Sequence, residues 1–175
     1  HRVGYFVNKS TDLTSYDNFP NFALINKWRL IKKDPNAEMS EPEEPIVFWV
    51  ENTTPEEIIP AVVAGIENWN MAFEEAGFIN AVVAKIQPKD AEWDAADYDY
   101  NVVRWSSEPD GNLLGIGPSV TNPLTGEIIS GDVVNKLLAV KVGYNYRKLY
   151  GYTEDNDPLM QYITNLTLHE VGHVL

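Results

Sequence analysis

The 175-residue sequence contains no cysteine. That absence removes disulfides, thiolate metal ligands and cysteine nucleophiles together, so any metal must be held by His, Asp or Glu. Basic residues are also scarce: 13 Lys+Arg against 26 Asp+Glu give a formal charge of −13 and a pI near 4.5. With no Lys/Arg-rich run, this balance argues against a nucleic-acid partner and disfavours an anionic membrane surface. No stretch of ~20 apolar residues is present to insert into a membrane. The opening HRVGYFVNKS lacks the basic-then-apolar layout of a signal peptide. What is present is an ordinary globular composition, 44% hydrophobic and 22% charged, at a length that suits one domain.

Residues 3–7 (VGYFV) and 24–31 (LINKWRLI) are rich in β-branched and aromatic residues and read as two strands, with a pairing between them expected. The acidic, proline-rich stretch from Asp34 to Pro45 reads as a solvated linker, which divides an N-terminal extension (1–45) from a main domain (46–175). IVFWV (46–50), AVVAKI (81–86) and NVVRW (101–105) read as buried strands covered on both faces. Between the first two, Thr54-Pro55-Glu56-Glu57 has capping-box spacing, Ile59, Val62, Ile66, Trp69 and Phe73 share a helical face, and Gly77 supplies a stop. The expectation is one helix over 55–76 and a largely parallel sheet with a crossover helix.

The loop carrying Asp90, Asp94, Asp97 and Asp99 fits no calcium-loop spacing and reads as a solvated acidic loop. NLLGIGPSVT and EIISGDVV read as two further strands around an Asn122-Pro123-Leu124-Thr125-Gly126 turn, the first an edge strand because Pro118 cannot donate to a ladder. Residues 136–156 carry no clear pattern: LLAVKV is compatible with a continued strand and YNYRKLYGYTED with a tyrosine-rich loop.

The last segment carries the chemistry. Asp157 and Pro158 open a helix as N-cap and first residue. From Pro158 to Leu175 the only side chain charged at neutral pH is Glu170, so the helix is expected to be buried. It nevertheless places His169, Glu170 and His173 within five positions, and desolvating such groups is costly unless something compensates. Four residues apart, the two imidazoles leave a helix only about 40° apart and one turn up, so both can reach one ion. Glu170 points roughly 100° from His169, outside a first coordination shell but within reach of a metal-bound water whose proton it would take. Zn²⁺ suits imidazole nitrogen and an open fourth position. The third histidine of the chain is His1, far away in sequence. Gly172, inside the motif, is expected to allow another backbone to approach the helix.

HEVGH, together with INKWRL, PIVFWVENTTPEE, GIENWNMAFEEAGF and NPLTGEI, resembles the metzincin metallopeptidases, and more narrowly a family of large bacterial zinc-dependent metzincin-like proteins that are generally exported. The resemblance covers roughly residues 22–175. It implies an α/β (α+β) fold: a metzincin-like N-terminal subdomain with a twisted mixed five-stranded sheet, an antiparallel edge strand, a backing helix and an active-site helix over 158–175. It implies that His169 and His173 are zinc ligands, that Glu170 is the general base, and that the protein is secreted or resident in the cell envelope. By the same resemblance, Leu113, Leu114, Gly115, Ile116 and Gly117 form the edge strand that binds a polypeptide substrate as an added strand. Gly115 and Gly117 either leave room for that substrate or relieve crowding at the edge. In the extended HExxHxxGxxH pattern the next glycine and third histidine fall at positions 176 and 179, past Leu175. The expectation is therefore a fragment of a longer protease, inactive and metal-free by itself, which exposes the apolar underside of its last helix and tends to self-associate.

Two other readings compete. One is a non-catalytic domain that keeps the motif as a relic and binds polypeptides or glycans along its edge strand. The other is a metallopeptidase whose third ligand is a downstream glutamate.

Overall fold

The computed structural model describes residues 5–17, 21–108, 114–153 and 155–175. The five apolar residues Ile46–Val50 form β3 at the centre of the molecule. Ile46, Phe48 and Val50 point into the core, whereas Val47 and Trp49 on the other face are only half-buried, so this strand is fully covered on one face and not on both. β4 (Val82–Ile86) and β5 (Asn101–Ser106) pair with β3 in parallel on either side. β9 (Val133–Lys136) pairs in parallel with β5, and β6 (Gly115–Ile116) closes the sheet antiparallel to β9. The result is a mixed α/β fold around a five-stranded mixed sheet of order β4-β3-β5-β9-β6. Lys136 N–H donates to Leu114 O, and Asp132 N–H to Pro118 O, so the edge segment offers its neighbour the carbonyls of Leu114 and of Pro118 itself.

Two small ribbons flank this sheet. β1 (Val7–Thr11) and β2 (Asn21–Ile25) pair antiparallel, so the expected pairing is present but displaced from the 3–7 and 24–31 segments. Lys27–Ile31 leave β2 without continuing it, because Lys27 bridges to Glu127 and Trp28 and Leu30 turn onto the core. β7 (Ser119–Thr121) pairs with β8 (Ile128–Gly131) around the expected turn. EIISGDVV is thus two strands, not one. Asp132 marks the break, its carboxylate accepting from Val102 N–H at 3.1 Å, and the chain passes there from the ribbon into the main sheet. The Asp34–Pro45 stretch is held more closely than a solvated linker: Ser40 is buried, bridges to Phe78, and receives Asp34 N–H on its hydroxyl at 3.0 Å.

The backing helix is interrupted. A 3-10 turn, Glu56–Ile58, leads into α1 (Ile59–Glu67), and α2 (Asn70–Glu75) follows after a break at Asn68 and Trp69. The capping box is absent. Thr54 Oγ1 accepts from Trp105 Nε1 at 3.0 Å, and Glu57 is engaged by Arg147 at 2.7 Å and by Tyr144. The break coincides with Asn70, whose amide makes both bonds to the Val82 backbone (2.8 and 2.9 Å) and draws the chain toward β4. Gly77 ends the element at φ +84°, as expected.

Residues 137–150, compatible by sequence with strand or loop, form the helix α3 (Leu137–Tyr150). Its tyrosines stack on helices rather than decorate a loop: Tyr146 meets Tyr162 at 5.5 Å between centroids. α4 (Pro158–Gly172) begins as expected, with the Asp157 side chain accepting from Leu159 N–H. It is buried on one side only. Leu159, Ile163, Thr167, Glu170 and Val171 face inward, whereas Gln161, Asn165 and His169 are exposed. Among the described residues no helix is long and apolar enough to cross a membrane.

Candidate metal centre

The site forms where the end of α4 passes the edge strand β6. Helical geometry stacks His169 and His173 one turn apart, and their Nε2 atoms converge to 3.1 Å with the ring planes nearly perpendicular at 88°. Two nitrogens at about 2.0–2.1 Å from one zinc in tetrahedral geometry stand roughly 3.3 Å apart, so the pair fits a shared ion with little adjustment. At this distance one Nε2–H can also donate to the other Nε2, the roles being set by the tautomers.

Glu170 turns the other way. Only 7% exposed, it lies along β6, and its carboxylate has no hydrogen-bond or ion-pair partner among the described residues. Further buried polar atoms lie under α4: the amide of Asn135, which stands opposite Gly115 in the ladder, and the hydroxyl of Thr167, one turn before Glu170; neither is partnered among the described residues. Unpaired polar atoms of this kind separate the region from the sealed apolar core around Phe48 and Ile163.

The edge glycines lie close against α4. A Cβ on Gly115 would stand 2.7 Å from Glu170 Cγ and Oε1, and one on Gly117 would stand 2.6 Å from Glu170 O and 3.0 Å from His173 Cβ. They make room for α4 itself. Gly172 likewise meets a side chain rather than a backbone, since the Trp69 ring occupies the space its Cβ would take. Of the five edge positions, Leu114, Gly115, Ile116 and Gly117 run beside Glu170 and His173, with Ile116 turned to solvent; Leu113 lies outside the described residues.

Three aromatic residues bordering the site were not legible from the motif. Phe6 packs on the His173 ring at 5.8 Å. Trp69 Nε1 donates to Leu168 O at 2.9 Å and Trp28 Nε1 to Val174 O at 2.7 Å. Trp69 is visible in sequence only as one more residue of an apolar helical stripe, and Trp28 only as a strand residue. Among the described residues no group of three or more His, Asp or Glu side chains is arranged to hold a metal. No family model, curated protein or solved structure matches this chain.

Proposed function

We propose that the chain carries the upper part of a metzincin-type zinc endopeptidase site, with His169 and His173 as ligands. The observation that carries the reading is the convergence of the two Nε2 atoms at 3.1 Å beside a buried, unpartnered carboxylate. The chemistry zinc supplies when bound is Lewis acidity toward a scissile carbonyl and acidification of water. Glu170 then acts as general base, accepting the proton of the attacking water, a role that suits a carboxylate not already engaged by a donor. β6, the antiparallel edge of the sheet, holds an extended polypeptide through main-chain hydrogen bonds, with Ile116 on its open side. A catalytic zinc site normally uses three protein ligands. In this proposal the third is a residue at or near position 179, past Leu175, and the longer protein works outside the cytoplasm.

Calorimetric titration with zinc tests the reading on this chain and on the chain continued past position 179, each beside His169→Ala. Tight one-to-one binding by the longer chain, lost in the variant and accompanied by Glu170-dependent peptide hydrolysis, is the expected result. Absence of zinc binding in both chains would leave the motif a relic and favour a polypeptide- or glycan-binding role for the edge strand.

A further inference from the structure

The separation of the two imidazoles is set by the backbone of the last turn of α4, and that turn changes character inside the motif. The helix is regular through Gly172; beyond it, His173 N–H reaches Glu170 O at 3.1 Å and Val174 N–H reaches Val171 O at 3.0 Å, the three-residue spacing of a 3-10 turn, before Leu175 N–H returns to the four-residue spacing at Val171 O (3.1 Å). A 3-10 turn advances about 120° per residue against 100° in an α-helix, so moving the point of tightening by one residue swings His173 by roughly 20°. At the reach of an imidazole this displaces Nε2 by on the order of 2 Å, enough to separate the pair. A helix end with free carbonyls is also where fraying starts.

Two indoles from different parts of the chain grip this turn. Trp69, at the α1–α2 break, donates to Leu168 O at 2.9 Å, immediately before His169, and its ring lies against Gly172. Trp28, in the segment after β2, donates to Val174 O at 2.7 Å, immediately after His173. Both rings pack against the hydrophobic core and are thereby fixed in place. The Val174 carbonyl lies past the regular helix, so the indole supplies a donor the helix does not.

We infer that Trp28 and Trp69 are positioning residues for the His169–His173 pair: their N–H groups bracket the motif, fix where the helix tightens, and so hold the two imidazoles at the spacing of one ion. The inference rests on the metal-binding reading above and adds to it residues from outside the motif.

Trp→Phe substitution keeps most of each ring and removes only the N–H donor. The test is Co²⁺ titration of the chain continued past position 179 as wild type, Trp28→Phe and Trp69→Phe, following the d–d absorption bands, with His169→Ala as control and thermal melts alongside. Each folded variant is expected to bind Co²⁺ about fivefold more weakly, the scale of one lost hydrogen bond, with altered band positions. Should one variant fail to fold, the other reads the same quantity. Variants that melt lower but bind Co²⁺ with wild-type affinity and spectrum would overturn the inference, leaving the indoles a packing role only. Wild type that binds no better than His169→Ala would instead overturn the metal-binding reading, and the inference with it.

Discussion

The two ends of α4 are held by different means. At the start, charged groups do the work: Asp157 caps Leu159 N–H at 3.0 Å and is gripped by Arg147, which also reaches Glu57 at 2.7 Å. At the finish, close contact does most of it, with Gly115 and Gly117 pressed against Glu170 and His173, and Trp69 against Gly172, joined by the indole N–H donors of Trp69 and Trp28. A polar anchor tolerates changes of volume and responds to protonation. A contact anchor is intolerant of a single methyl group. The proposed metal site sits at the contact end, where position is defined most narrowly.

The largest effect is expected at Gly117. Alanine there meets the Glu170 carbonyl, which cannot move without the helix, so Gly117→Ala should cost about 3 kcal/mol by denaturant unfolding, at the upper end of overpacking penalties. Gly115→Ala comes next, at about 2 kcal/mol, because its new methyl meets only the outer atoms of the Glu170 side chain. The pair sharpens further in a Glu170→Ala background. Gly115→Ala should become nearly neutral there, since the atoms it meets are gone, whereas Gly117→Ala should remain costly; equal rescue of both would contradict the packing described.

At the polar end, Asp157→Ala loses cap and ion pair together and should cost about 1–2 kcal/mol, whereas Asp157→Asn keeps a capping oxygen and should cost about half as much. The smallest effect concerns pH. Hydrogen bonding from Arg147 holds the Asp157 carboxyl below the usual aspartate range, outweighing the opposing effect of burial. A carboxyl depressed in the folded state contributes stability that is present above its unfolded pKa, about 3.9, and is lost as pH falls through the folded value. Melting curves should therefore show wild type losing its advantage over Asp157→Asn below about pH 4, with no change between pH 6 and 8.

The sequence announced the parts of the site that depend on one element. His169, Glu170 and His173 follow from helical spacing, and Asp157 and Pro158 mark the helix start without ambiguity. The central strands were equally legible as short apolar runs. What escaped depends on partners distant in sequence. Thr54 and Glu57 have capping-box spacing, yet Trp105 and Arg147 claim their side chains, and the helix opens as a 3-10 turn. Residues 137–150 alternate apolar and basic groups in a way that fits strand as well as helix, and packing of Gly143 on Leu159 and of Tyr146 on Tyr162 settles it. The edge glycines were recognised as places of close approach, but what approaches them, α4 itself, is visible only in three dimensions. The indole donors at Leu168 and Val174 lie 99 and 146 residues from their acceptors, beyond the reach of any local pattern.

The central claim is that His169 and His173 share one metal ion. X-ray absorption at the zinc edge of the zinc-loaded chain, continued past position 179, addresses it directly. The account predicts at least two imidazole nitrogens at about 2.0–2.1 Å from zinc, with at least one fewer in His173→Ala. A spectrum without imidazole scattering, or one unchanged by the substitution, would contradict it.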